Sequence, residues 1–188
     1  MSLVVFKNYL MFVDRVLAAK ADLPTAIDAI ELESVLVSHG VVLLFSHVER
    51  CYRAAIETKC NRCADLEVRT FALSVKDEKT GKIGMDSVKG TLKKFGKACR
   101  EGFKADLSAS NIENAWDSVV NQRVKVAHHG ERASIPLGDL RNYYEDVRKV
   151  LGYFCKALGL DAAEVATISS LIVLPAQQAA TGEPAPAA

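Results

Sequence analysis

Between Leu137 and Leu158 the apolar residues Leu137, Leu140, Tyr144, Val147, Leu151, Phe154 and Leu158 recur at alternating intervals of three and four. That spacing draws one apolar stripe along a helix. Pro136 suits the first turn of this helix, and Ser134 is a candidate cap. A similar repeat through Leu32, Val35, Leu36, Leu43, Leu44, Val48, Cys51 and Ala55 predicts a long helix over 30–58. Gly40 lies inside it. A glycine there costs about 1 kcal/mol against alanine, which points to a close helix contact. Residues 3–20 predict a first helix, interrupted by "ADLP", where Pro24 disfavours a helical residue before it.

The remaining stretches divide unequally. Val88, Leu92, Phe95, Cys99 and Phe103 predict one helix across 86–104. "SASNIENAWDSVVNQRVKVAHHG" predicts a helix that follows a Ser/Asn-rich cap and ends at Gly130. Its expected core face is Trp116, Val119, Val120, Val124 and Ala127. Asp161, with Glu164 three residues on, predicts a capped short last helix. Residues 60–84 are ambiguous: "EVRTFALSV" alternates weakly, as a short hairpin would, and "DEKTGKIG" reads as a turn or exposed loop. The sum is an all-α bundle of four or five main helices, with an irregular or hairpin segment at 60–84. One domain is expected over 1–174, followed by an Ala/Pro-rich tail at 175–188 without fixed structure.

Composition narrows the class only slightly. The formal net charge is +1 and charged residues make up 25%, so total charge does not single out a nucleic-acid partner. The five cysteines, Cys51, Cys60, Cys63, Cys99 and Cys155, do not read as a disulfide framework. "CNRC" lacks the further ligands that tetrahedral zinc requires. Free thiols and a cytoplasmic location are expected. The longest uncharged apolar run, Val37–Val48, is too short to span a bilayer, so no membrane association is expected. No metal and no cofactor is signposted. Charge distribution says more: Lys89, Lys93, Lys97, Arg100 and Lys104 form a basic stripe beside the apolar one at 86–104. Such a stripe serves either solubility or a phosphate backbone.

The richest chemistry lies in "NQRVKVAHHG", which holds Arg123, His128 and His129. Histidine titrates near neutrality and moves a proton either way; arginine keeps its charge and grips phosphate through two donors. That combination suits RNA cleavage by the substrate's own 2′-hydroxyl, with arginine on the phosphoryl oxygens and histidine on the proton. Positions 123 and 128 lie about 140° apart round an ideal helix, so the side chains are expected to diverge within one chain unless the helix is already ending at His128. A homodimer would let each arginine meet its partner's histidine.

"RVKVAH" has the spacing of arginine, four residues, histidine. With "WDSVVNQRVKVAHHG", "SIPLGDLRNYYEDVRKVLGYF" and "VVLLFSHVERCYRAAI", it resembles the HEPN superfamily, especially its bacterial defence- and toxin-associated members. The resemblance spans roughly residues 3–160. It implies a HEPN-like bundle, a metal-independent endoribonuclease acting on single-stranded RNA, catalytic roles for Arg123 and His128, and a toxin or defence role with a cognate antitoxin. It also places the glutamate of the second helix at Glu49, which is expected to pair with Arg123 and orient it. Asn121 and His129 are expected to support the pair, and Tyr143 to stack on a base. His47 is expected to be structural. Two departures stand out: Val124 replaces the asparagine that many active members carry after the arginine, and His129 separates His128 from Gly130. A binding module for RNA, nucleotide or protein without chemistry is the rival reading, and a plain helical scaffold the third.

Overall fold

A computed structural model describes residues 3–19, 29–77, 83–110 and 112–170. Among these residues the chain forms eight helices: α1 Leu3–Ala18, α2 Ala29–Asn61, α3 Leu66–Asp77, α4 Met85–Phe95, α5 Lys97–Ser110, α6 Glu113–His129, α7 Leu137–Ala157 and α8 Ala162–Ser170. The bundle is all-α as expected, but eight helices replace the expected four or five. The tail at 175–188 lies outside the described residues.

Three segments account for the difference in number. At 60–84 the weak alternation of "EVRTFALSV" suggested a hairpin, yet α3 forms there. Asp65 caps it, its Oδ1 accepting the backbone N–H of Glu67 at 2.9 Å and of Val68 at 3.0 Å. Ala72 and Leu73 then pack against the core. The single helix expected at 86–104 is two, because Gly96 adopts φ 137° and ψ 153°, outside the helical region and accessible to glycine. At the far end Asp161 and Glu164 form the expected reciprocal cap, at 2.8 and 2.9 Å, and start α8.

The 33-residue α2 is the hub. It packs against α1, α3, α6, α7 and α8. By length and composition alone it is apolar enough to cross a membrane; here its buried stripe, from Val37, Val41 and Leu44 to Ala55, joins the central core. The stripe is rotated from the one read in the sequence. Val35 is 51% exposed, whereas Val37, Val41 and Phe45 are buried. An apolar run with few polar markers leaves its facing undetermined until the neighbours dock. Gly40 performs the expected service. A β-carbon there would lie 2.7 Å from Leu140 Cδ2 and 2.9 Å from Tyr9 Cε1, so α1 and α7 both close on α2 at this point.

The helix that carries the candidate site is half core and half surface. Trp116 and Val119 are buried. The Trp116 indole donates to the Ile83 carbonyl at 2.6 Å, and Asp117 Oδ1 accepts the Met85 N–H at 2.9 Å. Beyond Val120 no side chain of α6 is fully buried, although Val126 still packs against the core, and Ala127, expected in the core, is exposed. α7 buries Leu140, Tyr144, Val147, Leu151 and Phe154 as its spacing predicts. Ser134 does not cap it. Pro136 holds the N-cap position, and Glu33 on α2 accepts the Leu137 N–H at 3.4 Å.

Candidate active site

α6 ends at Gly130, which takes the left-handed conformation at φ 66°. The Glu131 N–H returns to the Lys125 carbonyl at 3.2 Å and closes the last turn. The following strap, 130–136, is tied at several points. Gln122 accepts the Ser134 N–H at 3.0 Å and donates to its hydroxyl at 3.0 Å. The Ala133 N–H donates to Ser38 Oγ at 2.8 Å, and Arg132 pairs with Glu31. The end of α6 is therefore fastened to the first turns of α2.

On this platform Arg123 and His128 meet within one chain, with Nη1 and Nε2 2.6 Å apart. The side chains do not diverge; α6 ends one residue past His128, close to the exception expected from the sequence. An ideal 140° separation describes the α-carbons, but the long arginine stem spans it along the last turn and a half of the helix. A partner copy is not needed to join them. Guanidinium groups only donate, so Nε2 must accept in this contact, and the ring's proton belongs on Nδ1. The guanidinium carbon of Arg123 also lies 5.0 Å from the centroid of Phe45 on α2. Its Nε and Nη2 have no partner among the described residues. These two N–H groups form the side-on edge with which arginine grips a phosphate or carboxylate.

The expected supporting residues fare differently. Glu49 does not pair with Arg123; it accepts from Arg53, one turn along α2, at 2.8 Å. An i,i+4 partner on the same helix is always within reach, and Arg123 is occupied one turn earlier, over Phe45. Asn121 and His129 are exposed and make no side-chain hydrogen bond or ion pair with a described residue. His129, in the last turn of α6, lies at the negative end of the helix. His47 is buried with its ring edge-on to Phe6, a core position as expected. Tyr144 is buried 5.1 Å from the ring of Phe6, and Tyr143 is half-buried against the core.

The basic residues do not form one stripe, because the break at Gly96 puts them on two helices. Lys89 pairs with Glu113 at the start of α6. Lys104 and Arg100 lie 3.5 and 3.9 Å from Glu101. Lys93, Lys94 and Lys97 surround the break, exposed and without carboxylate partners among the described residues. Among those residues no group of three His, Cys, Asp or Glu side chains is arranged to hold a metal ion.

A family model described as RiboL-PSP-HEPN matches residues 13–159. The chain belongs to the RiboL-PSP-HEPN family. No curated protein and no solved structure matches it. Membership in this HEPN family supports a general RNA-binding or ribonuclease-like role, with RNA as partner. The matched region contains α2 through α7, and so all of the strap, Arg123, His128 and Phe45. Sequence reasoning missed two contributors to this RiboL-PSP-HEPN site, Phe45 and Ser38, and Gln122, weighed with Asn121 as a nearby amide, ties Ser134 instead. A signal existed for Phe45. It stands four residues before Glu49 in an apolar run, on the face where the acid had been sought.

Proposed function

We propose that this chain is an endoribonuclease that cleaves single-stranded RNA by 2′-hydroxyl attack and needs no metal. The observation that carries the reading is the contact between Arg123 and His128, with the side-on edge of the arginine left for a phosphate. Arg123 binds two non-bridging oxygens and stabilises the charge that builds on them as the 2′-oxygen attacks phosphorus. The P–O5′ bond breaks. The 2′-hydroxyl proton leaves to a base, and the 5′-oxygen gains one, giving a 2′,3′-cyclic phosphate and a free 5′-hydroxyl. With its proton on Nδ1, His128 donates to the leaving oxygen. Nε2 stays on Arg123 Nη1, and solvent takes the proton of the 2′-hydroxyl. His129 and Asn121 serve as substrate contacts, and Tyr143 as a stacking residue. The lysines near Gly96 extend the path for the phosphate backbone. A toxin or defence role with a protein antitoxin completes the proposal and rests on the family resemblance. A cytoplasmic location rests on the free thiols, and a homodimer is kept as a proposal although the contact within one chain removes the geometric motive for it.

The test compares wild type with His128→Ala, His129→Ala and Arg123→Ala on single-stranded RNA in excess EDTA. Loss of the acid–base group lowers the rate by about 10²–10⁴, and loss of His129 has a much smaller effect. RNA carrying a 2′-deoxy nucleotide at the cut site survives. A His128→Ala protein that cuts as fast as wild type would refute the assignment. A second reading, binding without chemistry, is favoured by Val124 beside the arginine. It is the outcome if wild type binds RNA and cuts none.

A further inference from the structure

We propose that Phe45 is the positioning residue of Arg123: its ring holds the guanidinium by cation–π attraction while leaving the charge and the Nε–Nη2 edge available to a phosphate. The inference deepens the proposed ribonuclease reading and rests on it. The guanidinium carbon is 5.0 Å from the ring centroid, within the roughly 6 Å range of such attraction. Phe45 is 2% exposed and fixed in the core, so the platform does not move with solvent. Glu49, one turn on from Phe45 along α2, is engaged by Arg53. Arg123 therefore has no carboxylate partner among the described residues.

This arrangement has a chemical consequence. A carboxylate that oriented the arginine would take the same two-donor edge that a phosphate needs and would offset its charge. An aromatic face restrains the plane of the guanidinium and takes no donor. The histidine contact through Nη1 then fixes the rotation of the group within that plane. Ring and imidazole together set the direction of the remaining edge, which is the preorganisation that a phosphate site requires.

The experiment replaces Phe45 in the full-length chain with 4-fluoro-, 3,5-difluoro- and 3,4,5-trifluorophenylalanine. These keep the ring's shape closely and weaken its negative face step by step. The series is built in wild type and in Arg123→Gln, with thermal midpoints measured for every protein. The first readout needs no substrate: the rotation rate of the Arg123 guanidinium about its Nε–Cζ bond, measured by NMR. It is expected to rise with each fluorine. The second is cleavage of single-stranded RNA, expected to fall by about two- to fivefold across the series, the weight of one partly exposed cation–π contact. The Arg123→Gln background is expected to show no trend. An unchanged guanidinium rotation rate across the series overturns the role of Phe45, whether or not RNA is cut. A rising rate with flat cleavage kinetics in an active enzyme also overturns it as a positioning role. Wild type that cuts no RNA, with the rotation trend present, sinks the ribonuclease reading and leaves the platform demonstrated.

Discussion

Replacing one glycine by alanine is expected to change stability in opposite directions at two helical positions. At Gly40 the new methyl would lie 2.7 Å from Leu140 Cδ2 and 2.9 Å from Tyr9 Cε1, closer than real β-carbon contacts allow. Neither neighbour retreats easily. Leu140 is fully buried, and the Tyr9 hydroxyl donates to the Leu36 carbonyl. The strain of such overpacking is about 2 kcal/mol, against about 1 kcal/mol gained from alanine's helix propensity. The net result is a loss of about 1 kcal/mol. At Gly152, in the middle of α7, nothing lies within 4 Å of the new methyl, so only the gain of about 1 kcal/mol remains. Urea denaturation of wild type, Gly40→Ala and Gly152→Ala measures both, provided the m-values agree. For a chain of this size, about 2 kcal/mol between the variants corresponds to roughly 4–8 °C in Tm. A Gly40→Ala protein as stable as wild type would show that α1 or α7 yields, and would refute the reading of Gly40 as a close-packing position.

Four further outcomes are expected. Burial pushes the Cys51 thiol up to about 12 and the Cys155 thiol up to about 11, with mutual repulsion adding to Cys51. Both pKa values are raised on folding, so their stabilising contribution is complete below about pH 9 and declines by up to about 1.4 kcal/mol per pH unit and thiol as pH rises towards those values. Urea midpoints from pH 8 to 11 measure the decline, which Cys51→Ala should make shallower; an equal slope would refute the assignment. Thiol reagents at pH 8 should label the half-exposed Cys63 and Cys99 before buried Cys51 and Cys155, as peptide mass mapping would reveal. Gly130→Ala, which forces a side chain into φ 66°, should cost about 1 kcal/mol by thermal denaturation, with amide exchange rising first in the last turn of α6. The double change Lys93→Gln with Lys97→Gln should weaken unrelated RNAs alike and flatten the salt dependence of binding; an unchanged slope would leave both lysines outside the RNA path.

How much was legible varied with the kind of signal. Strict three–four spacing in α7 fixed both the helix and its buried face, because polar residues separate its apolar positions. The end of α6 was equally readable, since Gly130 is one of few residues suited to a left-handed cap. α2 was readable as a helix but not in its rotation: apolar residues on several sides leave tertiary packing to choose among faces. The break at Gly96 was hidden because Phe95 and Cys99 keep the apolar interval across it, and only the backbone departs. In the site, the residue types and the arginine–histidine spacing were visible from sequence. Their meeting within one chain was legible only as the case of a helix ending near His128, because periodicity locates backbones and says nothing of where a long side chain turns. The partner of Glu49 was misjudged for a related reason. The distant arginine was weighed for its chemistry, and Arg53 on the adjacent turn was nearer.

Arg123 and His128 belong to a single chain, and this has a genetic consequence. Suppose a cell carries two copies of the gene, one encoding Arg123→Ala and the other His128→Ala. If each pocket needed one residue from either copy, the two alleles would rescue one another. With both residues joined through the last turns of α6, each mutant chain lacks half of its own pair. The alleles are expected to fail to complement. Conversely, every intact chain brings a whole pair to any assembly, so an inactive copy dilutes a functional one and does not disarm it.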